Sequence, residues 1–303
     1  MILPYNQLII KTMKKLIPLS GLCLMIAMQS CTSGDEPTFT KQQEAETVMS
    51  HMVIKFDNHI YETDVITIGD SVKYLNEEYD RIYHTEIANS NDMSTVISED
   101  ESGTCFVEYF KSEKEVYKKH NFLQLGNRTE CDSNYTTRSG VINLMQPNGS
   151  SGILARAELY DDHNFKDTEL ITYATTTWQS SVPRLKDLGF NDKTSSIKVF
   201  NLMKPNENYT IGHHSYNFGF YDPYTHSGSG LRPVLKCYKD SDYSGTTILF
   251  CIASPTGNPN DHLDYNLKGI GWGDKISSFE WLLVYNFKVF AEPDPEIPAH
   301  DPC

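Results

Sequence analysis

Two short stretches of this 303-residue chain concentrate oxygen donors at the same spacing. Asn191-Asp192-Lys193-Thr194-Ser195-Ser196 offers the Asp192 carboxylate, the Ser195 hydroxyl and backbone carbonyls around Lys193. Gly273-Asp274-Lys275-Ile276-Ser277-Ser278 offers Asp274, the carbonyl of Lys275 and Ser277. Such hard donors suit Ca²⁺, which takes about six to eight oxygens and tolerates irregular geometry. With one acid per stretch, affinity is expected to be modest, because the ligand charge count tunes it. No nucleophile elbow, HExxH or P-loop pattern occurs, and 40 acidic residues make carboxylate pairs common by accident. No cysteine has a histidine placed to make it a nucleophile.

Both stretches recur with their surroundings. Leu159-Tyr160-Asp161-Asp162-His163-Asn164-Phe165-Lys166-Asp167 aligns with Cys237-Tyr238-Lys239-Asp240-Ser241-Asp242-Tyr243-Ser244-Gly245, 78 positions on. Asp192-Lys193-Thr194-Ser195-Ser196-Ile197 aligns with Asp274-Lys275-Ile276-Ser277-Ser278-Phe279, 82 positions on. Two blocks in the same order and nearly the same register mark a duplicated unit. Past the breaker cluster Pro147-Asn148-Gly149-Ser150-Ser151-Gly152, the texture is short strands between Gly, Asn, Asp and Pro, as in a sandwich.

These motifs resemble the βγ-crystallin family. Its unit carries an aromatic, four residues, an aromatic, one residue and a Gly, as in Tyr238-x4-Tyr243-x-Gly245. Tyr160-x4-Phe165-x-Asp167 departs only in the last residue, where Asp tolerates the left-handed backbone better than most side chains. The second mark is two Asx residues, two variable residues, Ser/Thr and Ser. Asn191 to Ser196 matches throughout, and Gly273 to Ser278 matches except at its first position. The resemblance spans about 140 residues. It implies a double Greek-key sandwich over 151–291, with Ser196 and Ser278 bonding the folded hairpins. It further implies two Ca²⁺ ions in a double clamp fed by Asn191, Asp192, Lys193, Ser195, Asp274, Lys275 and Ser277.

Residues 49–147 read as a small α+β domain of unknown role. Val65-Ile66-Thr67-Ile68 and Cys105 to Phe110 are strand-like, and Val72, Leu75, Tyr79 and Ile82 follow helical spacing. Ser112 with Glu115 forms a capping box that opens a short helix towards His120. A domain boundary is expected near 150. The run His213-His214-Ser215-Tyr216 on to His226 is expected to be a linker wrapping the sandwich, with aromatics packed on the core or stacked on sugars.

The amino-terminal residues read as an address. Lys14 and Lys15 precede an apolar run from Leu16 to Met28, too short for a bilayer span of about 20 residues but suited to a secretory signal over 1–30. Met13 makes a better start than Met1 for that segment. Met28-Gln29-Ser30-Cys31 resembles the lipobox of bacterial lipoproteins, which implies lipidation of Cys31. The following Asp35-Glu36 resembles the surface-export signal of Bacteroidetes lipoproteins, which implies an outer-membrane, surface-exposed protein. Residues 31–48 then form a tether and 292–303 a proline-rich tail. Acidic residues (40) exceed Lys plus Arg (26), for a net charge of −14, which disfavours nucleic acid and leaves membrane attachment to the acyl chains.

Export permits disulfides. Cys237 and Cys251 flank one expected hairpin and are a candidate pair; Cys105 with Cys131 is a second, leaving Cys303 in the tail. The leading expectation is a non-enzymatic, calcium-stabilised envelope protein that adheres to or binds an extracellular protein or glycan. A peptidase inhibitor, or a glycan processor whose activity resides in 49–147, are the alternatives.

Overall fold

The computed structural model describes residues 47–285 except 69–70, 100–104, 121–122, 126–128, 131–135, 139–140, 145–151, 164, 178, 205–206, 212, 218–220, 223–226, 229–230 and 252–261. The expected signal, the lipidation site Cys31, nearly all of the tether, Cys131, His226 and the tail with Cys303 lie outside the described residues.

The chain is mostly β-sheet. A meander of β1 (Thr47–Phe56), β2 (His59–Ile68) and β3 (Ser71–Tyr74) leads into α1 (Glu77–Ile82), which runs on as a π-helical turn, Tyr83–Ile87. There follow β4 (Ser94–Glu99), β5 (Cys105–Phe110), α2 (Glu113–His120), β6 (Leu123–Leu125), β7 (Thr129–Glu130), β8 (Thr136–Arg138) and β9 (Val141–Asn143). The repeated region begins with the hairpin β10 (Ile153–Tyr160) and β11 (Thr168–Thr175). Then come β12 (Ser180–Val182), a 3₁₀ turn at Leu185–Leu188 and β13 (Ser196–Asn201). Two small hairpins, β14 (Asn208–Ile211) with β15 (His214–Asn217) and β16 (Tyr221–Asp222) with β17 (Ser227–Gly228), separate it from the second copy. That copy is β18 (Leu231–Asp240), β19 (Ser244–Cys251), β20 (His262–Asn266), a 3₁₀ turn at Lys268–Ile270 and β21 (Ser278–Tyr285).

Strand order shows how the copies interlock. One sheet contains the sequence β11-β10-β13-β20, the other β19-β18-β21-β12. Each copy thus keeps three strands in one sheet and lends its remaining short strand to the other. The inner faces share one core that includes Leu154, Leu159 and Ile197 from the first sheet and Leu235, Cys237, Ile248 and Phe279 from the second. The buried Trp281 indole donates to Thr172 Oγ1 across it at 3.1 Å. This is a sandwich-like arrangement in which neither copy hides its apolar face alone.

The amino-terminal strands extend this framework. β4 pairs in parallel with β19, Thr247 opposite Ser94, and β5, β1, β2 and β3 continue outward. On the other sheet β9 pairs in parallel with β11. The sheet therefore crosses the boundary expected near residue 150, and the described strands on both sides of it belong to one unit.

α2 covers the outer face of the larger sheet. Its Val116 packs with Val96, Phe110, Val234, Leu249 and Val284 in a second core. Lys55, Glu108, Val96, Leu249, Lys236 and Glu280 stand side by side in one cross-strand row. Buried charges need partners. Lys119 and His120 face Glu108, the latter at 3.4 Å, and Lys236 donates to Glu113.

Local expectations meet two corrections. Val72 belongs to β3 opposite Thr67, so the helix starts only at Glu77, where the Asn76 side chain accepts from Tyr79 N at 3.0 Å. The strand pairing takes the first turn of the expected helix. Cys237 and Cys251 are both free thiols. Cys237 stands opposite Ile248 and Cys251 opposite Val234, so odd spacing sends them to opposite faces and into separate cores. The expected Cys105–Cys131 pair involves Cys131, which lies outside the described residues, so the correction concerns Cys237 with Cys251 alone. Within the histidine-rich segment, His214–Asn217 is β15, paired with β14, and Tyr221–Asp222 is β16, paired with β17.

Candidate cation site at the paired turns

Each copy builds its turn by the same steps. A 3₁₀ turn ends at a glycine in the left-handed region, Gly189 at φ 71° and Gly271 at φ 75°. The next aromatic, Phe190 or Trp272, is buried and its amide donates back to Leu185 O at 3.0 Å or Leu267 O at 2.8 Å. Two residues later the chain turns left-handed again at Asp192 (φ 52°) and Asp274 (φ 54°). Asp is among the few non-glycine residues that adopt this conformation readily. It lifts each carboxylate to the surface while the serines that follow are buried.

The two turns, about eighty residues apart in sequence, lie against each other and exchange bonds reciprocally. Ser195 Oγ donates to Asp274 Oδ1 at 2.7 Å, and Ser277 Oγ donates to Asp192 Oδ1 at 3.1 Å. The Asp274 amide donates to Thr194 O at 2.9 Å and the Asp192 amide to Ile276 O at 3.3 Å. Leu267 N bonds Ser195 O at 3.0 Å, and Leu185 N bonds Ser277 O at 2.9 Å. Each turn is thus closed by the other. Asn191 Nδ2 donates to the second oxygen of Asp192 at 2.5 Å.

The last serine of each motif faces the other way, into its own hairpin. Ser196 Oγ accepts from Phe165 N at 3.3 Å and donates to Asp162 O at 2.5 Å. Ser278 Oγ accepts from Tyr243 N at 3.2 Å and donates to Asp240 O at 2.7 Å. The hairpins they pin bend through left-handed residues, Phe165 and Asp167 in one, Asp242, Tyr243 and Gly245 in the other. Their aromatics meet edge to face, Tyr160 with Phe165 at 5.9 Å and Tyr238 with Tyr243 at 5.7 Å.

All seven residues anticipated from the sequence fall on these two turns. The side chains brought together are Asp192 with Ser277 and Asp274 with Ser195. Lys193 and Lys275 belong to the set only through their carbonyls; the Lys275 amine instead donates to Gly271 O at 2.5 Å, and burial, then Lys239, lowers its pKa. Among the described residues no three His, Cys, Asp or Glu side chains form a metal cluster. The donor chemistry is of another kind, one carboxylate facing one hydroxyl, twice, beside backbone carbonyls. Those oxygens fit a hard cation and offer nothing to a soft one.

Sequence reasoning stopped the second repeated block at Asp192 and Asp274. The duplication runs further upstream, Leu185-Lys186-x-Leu188-Gly189-Phe190 against Leu267-Lys268-x-Ile270-Gly271-Trp272, at the same offset of 82. Those residues form the 3₁₀ turns, and their repetition was the available signal. No protein-family model matches this chain, and no curated protein or solved structure matches it.

Proposed function

We propose that this chain is a calcium-binding, βγ-crystallin-like envelope protein, tethered through a lipid on Cys31, whose role is non-enzymatic binding of an extracellular protein or glycan. The observation that carries the calcium reading is the reciprocal pairing of Ser195 with Asp274 and Ser277 with Asp192. Ser196 and Ser278 face into their hairpins, whereas these carboxylates and hydroxyls converge at a solvent-facing seam where a hard cation could use them. Two further features support a double Greek key: the exchange of β12 and β20 between sheets, and the serine-pinned, aromatic-braced hairpins.

Asp192 and Ser277 would serve one ion, Asp274 and Ser195 the other, with carbonyls at Lys193 and Lys275 and the side chain of Asn191 completing the set. A bound cation supplies charge neutralisation between the turns. Since each turn closes the other, binding to the folded state alone stabilises the whole interlocked pair, by about 2.7 kcal/mol at a hundredfold excess over Kd.

Calorimetry and thermal melting of the full chain with and without millimolar calcium test this. The expected result is calcium-dependent heat and a raised melting midpoint, both diminished in Asp192→Asn and Asp274→Asn. Absence of heat and of any midpoint change overturns it. The anchor is tested separately: incorporation of labelled fatty acid is expected in cells and lost in Cys31→Ser.

A further inference from the structure

A half-open pocket lies beside the second turn, where the π-helical turn Tyr83–Ile87 and β4 approach the β18–β19 hairpin. Tyr83, Tyr109 and Trp272 form an aromatic wall, and Thr95 and Thr246 add hydroxyls. Lys239 and Lys275 contribute the only charged side chains among the described residues lining it, and those charges are positive. That is notable in a protein whose 40 acidic residues outnumber its 26 Lys and Arg. Two lysines lining one pocket beside an aromatic wall, with no carboxylate among its described lining residues, leave positive potential that an anion would relieve.

Among the described residues, nothing packs on Gly189 of the first turn as Tyr83 packs on Gly271 of the second. The first copy's equivalent of Trp272 is the fully buried Phe190, and a Cβ on Gly189 would meet nothing within 4 Å. The amino-terminal segment packs Tyr83 against Gly271 of the second turn, where it lines the pocket. A mixture of apolar wall and a few convergent polar groups is how small-ligand sites are built.

We infer that this pocket binds a compact oxyanion, the carboxylate or phosphate group of a small ligand, between the Lys239 and Lys275 amines with the hydroxyls of Thr95 and Thr246 as further donors. Ammonium groups hold such anions through charge-assisted hydrogen bonds. The site stands whether or not the turns hold calcium.

Titration calorimetry of the full chain in calcium-free buffer tests the inference, with inorganic phosphate and sodium acetate as separate probes at fixed ionic strength. Saturable one-to-one binding of either probe is expected, weakened about tenfold in Lys239→Met and Lys275→Met and unchanged in Lys186→Met, a lysine exposed on the first turn. Saturation by phosphate alone assigns a tetrahedral anion, and saturation by acetate alone assigns a carboxylate. Lys239→Met, at the exposed end of β18, keeps the test intact if loss of the Lys275–Gly271 bond unfolds the second turn. Failure of both probes to saturate, or equal weakening by Lys186→Met, overturns the inference.

Discussion

Gly189 and Gly271 end equivalent turns with nearly the same backbone, yet their surroundings differ. A Cβ on Gly189 faces open space, whereas one on Gly271 overlaps the Tyr83 hydroxyl. The neighbouring Gly269 has Met52 Cε 3.3 Å from where its own Cβ would be, and its carbonyl accepts from Tyr74 OH at 3.0 Å. The first copy carries Asp187 at that position. The duplicated unit therefore sets backbone and bond pattern, while the added amino-terminal strands decide which side chains the second copy must give up. Glycine there marks a packing contact, and in the first copy only a left-handed turn.

Replacing these glycines sharpens the contrast most. Gly189→Ala incurs only the left-handed strain, expected near 1 kcal/mol. Gly271→Ala adds overpacking and is expected to reach about 3 kcal/mol by denaturant unfolding. Tyr83→Phe in the same chain should recover part of that excess. Equal losses at the two glycines would mean the amino-terminal segment does not press on the second turn.

Ser196 and Ser278 pose the opposite test, since their surroundings match. Each is buried with a backbone donor and a backbone acceptor. Ser196→Ala and Ser278→Ala should each destabilise by about 1–3 kcal/mol, through the buried groups left unpaired, and by closely similar amounts. A large disparity would break the equivalence of the copies. The crossed serines should cost less in calcium-free solution, about 1 kcal/mol each for Ser195→Ala and Ser277→Ala, because the carboxylates they release are solvent-facing.

The smallest effect concerns acid and centres on Glu108 in the larger sheet. Burial works to raise the pKa of Glu108, but His120 and Lys119 outweigh it and hold the carboxyl below its ordinary value. A carboxyl depressed in the folded state contributes stability that is present above the unfolded pKa and lost as pH falls through the folded one. Melting midpoints are thus expected to decline below about pH 4.5, with Glu108→Gln flattening that part of the profile. A profile unchanged by the substitution would remove Glu108 from the acid response.

Much of the seam was legible in the residues. Asp192, Ser195, Asp274 and Ser277 stood out because a duplicated motif keeps donor types at fixed spacing, and left-handed backbone at Asp follows from its side chain. The strands from Cys105 and around Val65 were legible for a similar, local reason. The disulfide expectation failed on a point that spacing conceals: pairing needs a shared face, and register puts Cys237 and Cys251 three rungs apart on alternate sides. The helix expected from Val72 failed because an edge strand competed for the same residues.

By itself, the sequence determined the duplicated unit, its hairpin aromatics, its pinning serines and the oxygen chemistry of its turns, since each depends on contacts within a few residues or on the residue type alone. Only the tertiary structure decided that the two turns close one another, that β12 and β20 trade sheets, and that β4 joins β19 to run one sheet across residue 150. It alone also brought Tyr83 beside Lys239 and Lys275. Those outcomes rest on pairings between residues roughly 60 to 190 positions apart, where the loss of chain entropy is repaid only when a common core is buried, and no local pattern records which partner that core selects.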